Sequence, residues 1–538
     1  MRSLKLSKLG KIRSCVLPPR ETDSIARRGG CHERPCQKRD YRRTRKVASP
    51  IPAAIGNHDR SRHCSGEIAC VAQQNAQQAE AKRETSDVGS VAETLANFAV
   101  NLHYEGLPAD VVRTAKRAIL DAVGCAIGSY QAGPSQIAVK LAAGVTARQA
   151  ATVFCSGIKS SHDLATFANG VMIRYLDFND GYITPMGGGH PSDTIASLLS
   201  SAEVGGRGGR DLVVATVVAY EVFCKLADVL DTKRLGLDQA TILGPASLVG
   251  ASRLMGLTKE QIVHAIGITI GGNTAIDRGR RGTLSNWKDF ACAEASRKAI
   301  FSAQLAQAGM TGPSQVFEGQ LGFFDVIHHK PFQLPKLGEP FGIMRAFTKR
   351  FPLGQYSQTV AEAAMEVRPF FADVDEIQEI NLRVSRNAIR TMATGPEPWR
   401  PESHETADHS MPYAVGIVLL YGTIDDRFYD DPYLHDQRLL DLVSRVHCFP
   451  SDEADLHEKE YNLCDLEIIL KSGERKSVRV DYHRGHWKNP MTDAEMEEKF
   501  RSLARRHLSA EKVDALLRHL WTLEDISNVG TLLEMTKV

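Results

Sequence analysis

The chain has 538 residues, of which 43% are hydrophobic and 24% are charged, a composition typical of a globular protein with room for more than one domain. The formal net charge of +2 is uneven, because residues 1–88 carry +10 and the mildly acidic remainder carries −8, which predicts no nucleic-acid partner. No uncharged apolar run reaches 18 residues, so no membrane association is predicted.

Residues 1–88 show neither a helical nor a strand period. They contain Arg-rich patches such as KRDYRRTRK and a polar run, QQNAQQAEAKRE. This pattern predicts a disordered extension, or an upstream reading-frame extension that is not part of the working protein. A targeting segment is the alternative, but such segments are poor in acidic residues, and Glu21, Asp23, Glu33 and Asp40 lie here.

Residues 89–344 are predicted to form the first part of a large helical domain. Apolar residues recur at helical spacing from Leu95 onward and again through residues 107–124. Residues 211–230 are apolar nearly all round, as in a helix buried inside a large protein. Further helices are predicted at 246–256, 259–270 and 289–309.

Residues 345–490 are predicted to form a smaller α+β domain. Ile380, Leu382 and Val384 alternate with polar residues, which is a strand pattern. Two more strands are predicted at 466–470 and 476–482, and helices at 358–367 and 413–421. Residues 491–538 are predicted to return as helices that pack on the first domain, beginning at a capping box formed by Thr492 and Glu495.

The stretch 170–192, GVMIRYLDFNDGYITPMGGGHPS, combines several functional groups in a short segment. It carries Asp177, a Gly-rich loop that ends at His190, and Ser192, which is predicted to be the N-cap of the next helix. A carboxylate, a histidine and a helix N-terminus together could hold an organic acid and move a proton on it. The alternative is an ordinary capped helix with a histidine in the preceding turn.

Three further places are candidates for anion binding. The basic loop RGRRGTLSNWK contains Arg281 and ends at Lys288, which starts an Ala-rich helix that is a poor place for a lysine without a partner. Lys349 lies in TKRFP at the start of the second domain, where it could close over a polyacid. His409 precedes a long apolar helix. Solvated surface charge is the alternative for the basic residues, and a capping or core histidine is the alternative for His409.

Several common cofactor and catalytic motifs are excluded. The eleven cysteines are scattered with no C-x-x-C pair, which argues against a disulfide scaffold, a zinc site and an iron–sulfur cluster. They predict reduced thiols and a cytoplasmic location. The sequence also lacks a P-loop, a dinucleotide-binding motif placed after a strand, and a G-x-S-x-G nucleophile elbow.

Residues 89–538 resemble the 2-methylcitrate dehydratase (MmgE/PrpD) family, which also contains cis-aconitate decarboxylases. The resemblance runs in order through ATFANGVMIRYLDFND, GGGHPSD, GTLSNWKDFACAEASRKAIF, KRFP, ETADHSMPYAVGIVLL and RGHWKNPMTDAEMEEKF. It implies a mainly α fold, in which a large all-helical domain carries an inserted α+β lid domain before a C-terminal helical return. It also implies a homodimer, an active site between the two domains, and no cofactor or metal.

The resemblance assigns the site residues one at a time. Asp177 matches the first aspartate of the D-F-x-D motif, His190 the histidine of H-P-S, Lys288 the lysine of S-x-W-K, and Lys349 the lysine of K-x-F-P. These four are predicted to be catalytic, with Asp177 and His190 as acid and base in either order and the lysines near the substrate carboxylates. Ser192, Arg281 and His409 are predicted to bind substrate. The family often has Thr directly after D-F-x-D, and here Gly181 stands there.

The expected activity is that of a cofactor-independent lyase on a citrate-like tricarboxylate, most directly the dehydration of 2-methylcitrate to 2-methylaconitate in propionate catabolism. Decarboxylation of cis-aconitate, or epimerisation or isomerisation of a dicarboxylate, is the alternative on the same scaffold. A non-catalytic binding protein on this fold is a more remote alternative.

Overall fold

The computed structural model describes residues 89–458, 460 and 462–538, all of which belong to one compact unit, Ala79–Val538. The predictions for residues 1–88 lie outside the described residues. The helices of the first part are α1 (Val91–Asn101), α2 (Ala109–Gly128), α3 (Gly133–Ala143), α4 (His162–Arg174), α5 (Ile195–Val204), α6 (Gly209–Val229), α7 (Thr232–Leu235), α8 (Ala240–Met255), α9 (Lys259–Gly272) and α10 (Trp287–Gln307).

The later part mixes helices with strands. Its helices are α11 (Gln358–Val367), α12 (Arg386–Met392), α13 (His404–Ala407), α14 (Met411–Tyr421), α15 (Gln437–Val443), α16 (Asp452–His457), α17 (Asp493–Ala504), α18 (Ala510–Trp521) and α19 (Gly530–Met535). The strands of the whole described region are β1 (Ala150–Thr152), β2 (Lys159–Ser161), β3 (Tyr182–Thr184), β4 (Gly187–Gly189), β5 (Ile377–Val384), β6 (Val446–Pro450), β7 (Cys464–Leu470) and β8 (Arg475–Val480). The prediction of a mainly α fold with a smaller α+β region is therefore confirmed. None of the described helices is long and apolar enough to cross a membrane.

Strands β5 to β8 form one sheet in the order β6-β5-β7-β8. Strand β5 pairs in parallel with β6 and antiparallel with β7, which continues into the hairpin with β8. The edge strand β6 is not predicted from the sequence, because it is short, ends at Pro450 and leaves most of its residues partly or fully exposed. The buried face of the sheet joins α11 and α14 in an apolar core of its own.

The C-terminal helix α17 packs against α2 of the first part. Phe500 lies over Gly124, and Leu503 lies over Gly128. The predicted capping box of this helix is present, with Thr492 and Glu495 bonded reciprocally at its start. The domain boundaries at 344 and 490 stay predictions, since the described chain is one compact unit.

Helices α4 and α10 make the close contact that sets up the site. A Cβ atom at Gly170 would lie 3.0 Å from the Ala293 side chain and 3.2 Å from its Cα, so the two helices approach more closely than a larger residue would allow. Asp177 follows the end of α4, and Lys288 lies in the first turn of α10. The packing therefore brings the predicted carboxylate and the predicted lysine to one place.

Two local predictions in the stretch 170–192 are wrong. The Gly-rich segment is strand β4, which pairs antiparallel with β3, and it escapes a sequence reading because glycines show no polar–apolar alternation. Ser192 is not a helix N-cap: it lies inside the 3₁₀ turn Pro191–Thr194, and α5 begins at Ile195 with Thr194 as its N-cap. Pro191 starts this turn, since its fixed φ and missing N–H suit the first helical position, and the N-cap of the turn is therefore His190.

Candidate active site

Asp177 lies at the centre of the site, in the turn after α4. Its amide donates to the carbonyl oxygen of Arg174 at 3.0 Å, and its φ is +45°, in the left-handed region. This conformation costs a residue with a Cβ atom about 1–2 kcal/mol, so the surrounding contacts must hold it. The side chain is fully buried, and Arg174 Nη1 donates to Oδ1 at 2.7 Å.

Two lysines complete a ring of cations around the Asp177 carboxylate. Lys349 Nζ forms an ion pair with Oδ1 and donates to the Asp177 carbonyl oxygen at 2.7 Å. Lys288 Nζ lies 3.5 Å from Oδ2. Burial alone would raise the pKa of Asp177, but Arg174, Lys349 and Lys288 hold that pKa well below its usual range. Asp177 is therefore ionised, and its geometry suits the orientation of cations better than the acceptance of a proton.

The pKa values of the two lysines are shifted in opposite directions. Burial lowers the pKa of Lys349 to about 8, although its ion pair with Asp177 opposes this shift. Burial also disfavours the charged form of Lys288, but Asp408, with which it forms an ion pair, and Asp177 raise its pKa above the ordinary value. Lys349 can thus exchange a proton near neutral pH, whereas Lys288 stays cationic.

His190 follows strand β4 and is held by the backbone of Asp180. Its Nδ1 lies 2.6 Å from the Asp180 carbonyl oxygen, and because a carbonyl can only accept, Nδ1 carries the proton. Burial, with Arg174 and Lys349 nearby, holds the pKa of His190 well below its usual range. The ring is therefore neutral, and its Nε2, 3.9 Å from Asp177 Oδ1, has a free lone pair.

His409 lies on the other side of the same carboxylate. Its Nδ1 is 3.6 Å from Asp177 Oδ2, beyond hydrogen-bond distance, and neither ring nitrogen has a hydrogen-bond partner among the described residues. Burial lowers its pKa to about 4. A buried polar group without a partner is unusual outside functional sites, which supports the predicted contact of His409 with a ligand.

Asp177, Asp408 and His409 also bring potential metal-ligand atoms within 4.8 Å of one another. Lys288 lies against both of these carboxylates, and Lys349 and Arg174 lie against Asp177. A divalent cation would meet strong repulsion from three buried cations, so the donor set does not suit a metal. The expectation of a site without a metal stays a prediction.

Ser192 and Arg281 lie at the margins of this cluster. Ser192 is fully buried: its amide donates to Asp180 Oδ1 at 3.0 Å, and its hydroxyl accepts from Asn179 Nδ2 at 2.9 Å. Arg281 lines the cavity beside His409 and is ion-paired with Asp277. Asp177, His190, Lys288, Lys349 and His409 are thus brought together, while Ser192 supports the loop behind them. The roles of all seven residues stay predictions.

Arg174 and Asp408 are members of the cluster that the sequence analysis does not identify. Arg174 has no exposed side-chain area, and its signal in the sequence is a single cation in the apolar run GVMIRYL, which requires a buried anion. Asp408 follows α13 and directly precedes His409; burial raises its pKa to about 6 even though Lys288 opposes the shift. The only feature of the sequence that points to Asp408 is its position next to the candidate histidine.

A cavity opens beside the two histidines. His190 and His409 line it together with Gln355 and Tyr356, and its lining also includes Lys233, Arg280, Arg281 and Arg390. The same basic residues and His409, but not His190, also line a second cavity of about 560 Å³, within the size range of small-molecule sites. The cavity therefore offers a cationic wall and two neutral imidazoles to an anionic ligand.

Comparison with known proteins identifies the family of the chain. The MmgE/PrpD N-terminal domain matches residues 93–334, and the MmgE/PrpD C-terminal domain matches residues 351–523. The chain belongs to the MmgE/PrpD family. Within this family, the chain is 27% identical to a human cis-aconitate decarboxylase over 473 residues, which cover 83% of this chain and 95% of that protein.

Dehydratases of the family are similarly related. The chain is 28% identical to a 2-methylcitrate dehydratase of Escherichia coli K12, over 60% of this chain and 71% of that protein. It is also 28% identical to a mitochondrial 2-methylcitrate dehydratase of Yarrowia lipolytica, over 70% of this chain and 76% of that protein. Dehydration and decarboxylation are both lyase reactions, so family membership supports a lyase.

Proposed function

We propose that this protein is a cofactor-independent lyase that dehydrates 2-methylcitrate, a citrate-like tricarboxylate, to 2-methylaconitate. The observation that carries the proposal is the neutral His190, whose unprotonated Nε2 lies beside a carboxylate ringed by cations in a basic cavity. Such a site can bind a polyanion and remove a proton from carbon without a metal. The 2-methylcitrate dehydratases among the relatives support this choice of substrate.

The proposed dehydration uses the groups as follows. The C–H bond next to a substrate carboxylate breaks, and its proton goes to His190 Nε2. Negative charge builds on that carboxylate, where Lys288 stabilises it because its pKa keeps it cationic. The neighbouring C–O bond breaks, and the hydroxyl leaves as water with a proton from Lys349, whose pKa of about 8 suits proton donation near neutral pH.

Decarboxylation of cis-aconitate is the second candidate. The observation in its favour is that the match to the human cis-aconitate decarboxylase covers 95% of that protein. The same site would break a C–C bond, release CO₂ and deliver a proton to the carbon that retains the electron pair. Both reactions need a cation beside a carboxylate and a proton on a nearby donor, and both groups are present in the site.

The test is incubation of the purified full chain with 2-methylcitrate and, separately, with cis-aconitate. Proton NMR would detect the vinyl or methyl signals of the product, and a CO₂ assay would detect decarboxylation. We expect 2-methylaconitate from 2-methylcitrate. CO₂ from cis-aconitate without dehydration would favour the second candidate, and turnover of neither acid, nor of other di- and tricarboxylates, would refute a lyase on citrate-like acids.

The base is tested by His190→Gln, which keeps a polar side chain of similar size. Loss of a general base typically costs about 10²–10⁴-fold in rate, so we expect kcat to fall by that factor while the thermal unfolding temperature changes little. The control is His435→Gln, because His435 is largely exposed and lines neither cavity of the site. Equal kcat for both variants would contradict the role of His190.

The proposal includes a homodimer in the cytoplasm. The dimer rests on the family resemblance, and the cytoplasmic location rests on the free cysteines of the described region, most of which are buried. The mitochondrial relative from Yarrowia lipolytica offers the alternative compartment. Analytical ultracentrifugation would distinguish the 59.1-kDa chain from a particle of twice that mass, and fractionation of cells would locate the protein.

A further inference from the structure

The cationic wall of the cavity contains three basic side chains that are already paired. Arg280 Nε lies 2.6 Å from Asp238 Oδ2, and Arg281 is ion-paired with Asp277. Lys233 Nζ lies 3.5 Å from Glu458 Oε1 and donates to the Tyr356 hydroxyl at 3.0 Å. These cations shape the wall, but each has a fixed acidic partner that neutralises much of its attraction for an anion.

Arg390 is different from the other three. It lies in α12, is exposed and lines both cavities, and its guanidinium has no ion pair or hydrogen bond to another described residue. Its backbone is fixed, since its carbonyl oxygen accepts from Arg281 Nη1 at 3.0 Å. An unpaired guanidinium on a held backbone presents a planar fork of N–H donors that matches a carboxylate in a bidentate contact.

Arg390 also shares the cavity with the proton-transfer groups. His190, His409, Arg390 and Thr391 all line the same cavity. The charge of Arg390 is felt by its neighbours: burial lowers the pKa of Lys233, Glu458 opposes that shift, and Arg390 adds to it. A ligand that occupies this cavity can therefore contact both His190 and Arg390.

We propose that Arg390 is a specificity-determining residue that binds the substrate carboxylate farthest from the carbon that loses its proton. This inference rests on the proposed function, because it names a contact of the same site. A tricarboxylate would contact Lys288 or Lys349 and Arg390 together, whereas a shorter dicarboxylate held at the two lysines leaves Arg390 without a contact. The enzyme should therefore distinguish tricarboxylates from dicarboxylates largely through this side chain.

The experiment measures binding rather than turnover. Tricarballylate, a tricarboxylate without the hydroxyl, and glutarate, a dicarboxylate, are titrated by calorimetry into the wild-type full chain and into Arg390→Gln. A hydrogen bond to a charged group contributes about 1.5–3 kcal/mol, so we expect Arg390→Gln to weaken tricarballylate by roughly tenfold to a hundredfold while the Kd of glutarate stays the same. The Kd of Arg390→Lys for tricarballylate should lie between those of the wild type and Arg390→Gln, because lysine keeps the charge and loses the planar fork of donors.

Arg383→Gln is the matched control, since Arg383 is an exposed arginine of β5 that does not line the cavity. We expect it to bind both acids as the wild type does. If Arg390→Gln binds tricarballylate as tightly as the wild type, or weakens both acids equally, the specificity role is refuted and the proposed function stands. If the wild type binds no tricarboxylate at all, the proposed function itself fails.

Discussion

His190 and His409 are both neutral because both are buried, yet their hydrogen bonds give them different capacities. The Asp180 carbonyl fixes the proton of His190 on Nδ1 and leaves Nε2 as a base. His409 Nδ1 instead faces the Asp177 carboxylate at 3.6 Å, which favours a proton on Nδ1 but is too long to hold the ring as the Asp180 carbonyl holds His190. The sequence could predict that both are near the site, but it could not predict these tautomers, because they depend on a carbonyl and on burial.

The pH dependence of the reaction should reveal Lys349. A donor with a pKa of about 8 is charged below that value and loses its proton above it, so we expect kcat to fall as pH rises through about 8. In Lys349→Arg the guanidinium stays protonated. The fall of kcat near pH 8 should then disappear, and any remaining activity should be constant up to pH ~10. Initial rates with 2-methylcitrate between pH 6 and 10 would measure both profiles.

Lys512→Arg, at an exposed lysine of α18, is the control and should keep the wild-type limb. A fall near pH 8 that persists in Lys349→Arg would assign the titration to another group. Asp180, whose pKa is raised by burial to about 7, would be the next candidate for it.

At the level of elements, the predictable parts are those with strong local signals. The capping box at Thr492 and the alternation in β5 are read from neighbouring residues, and both are present. The β3–β4 hairpin and strand β6 are not predictable in this way, because glycines lack side chains and an edge strand needs little alternation. The placement of Lys349 beside the start of β3 depends on a long-range backbone contact that no local pattern encodes.

That contact is the bridge between Gly181 and Phe347, whose backbones exchange two hydrogen bonds of 2.9 Å. A Cβ atom at Gly181 would lie 2.4 Å from Phe347 Cζ and 2.7 Å from Cε2, so the phenyl ring fills the place of any side chain there. We expect Gly181→Thr to destabilise the protein by about 1–3 kcal/mol, as overpacking does, and to lower kcat by displacing Lys349. Urea unfolding and steady-state kinetics would measure the two effects.

The matched comparison is the double variant Gly181→Thr with Phe347→Ala, which makes room for the threonine. Gly181→Thr should lower kcat less in the Phe347→Ala background than it does in the wild type. If Gly181→Thr is as stable and active as the wild type, the ring does not constrain this position. If the double variant loses as much as the two single variants combined, the effect is not steric.

At the level of the whole molecule, the site gathers residues from Arg174 to His409. The pairings of its two lysines with Asp177 and Asp408 cannot be read from the sequence, because these partners lie more than a hundred positions apart. The farthest support is Lys499 of α17. Its Nζ lies 2.6 Å from Asp121 Oδ1 and donates to the carbonyl oxygens of Phe178 at 2.8 Å and Lys349 at 2.9 Å. The C-terminal helices therefore hold the backbone beside both Asp177 and Lys349.

A double-mutant cycle on this buried pair tests how far the whole molecule depends on it. Removing one partner of a buried ion pair typically costs about 3–5 kcal/mol, because the other charge is left unpaired. We expect Lys499→Met to lose about that much, and we expect Asp121→Asn with Lys499→Met to lose less than the sum of the single variants, by about 0.5–3 kcal/mol. Urea unfolding would be followed by both fluorescence and circular dichroism, whose coincidence shows a single transition.

Lys512→Met, at the exposed lysine of α18, should be nearly neutral, since surface substitutions usually change stability by less than about 0.5 kcal/mol. Additive losses in the cycle would show that Asp121 and Lys499 do not interact in the folded protein. Lys499 also donates to the Lys349 carbonyl. In folded Lys499→Met protein, the fall of kcat near pH 8 should therefore move to higher pH or extend over a wider pH range. An unchanged limb would mean that the C-terminal helix supports the fold without positioning the catalytic lysine.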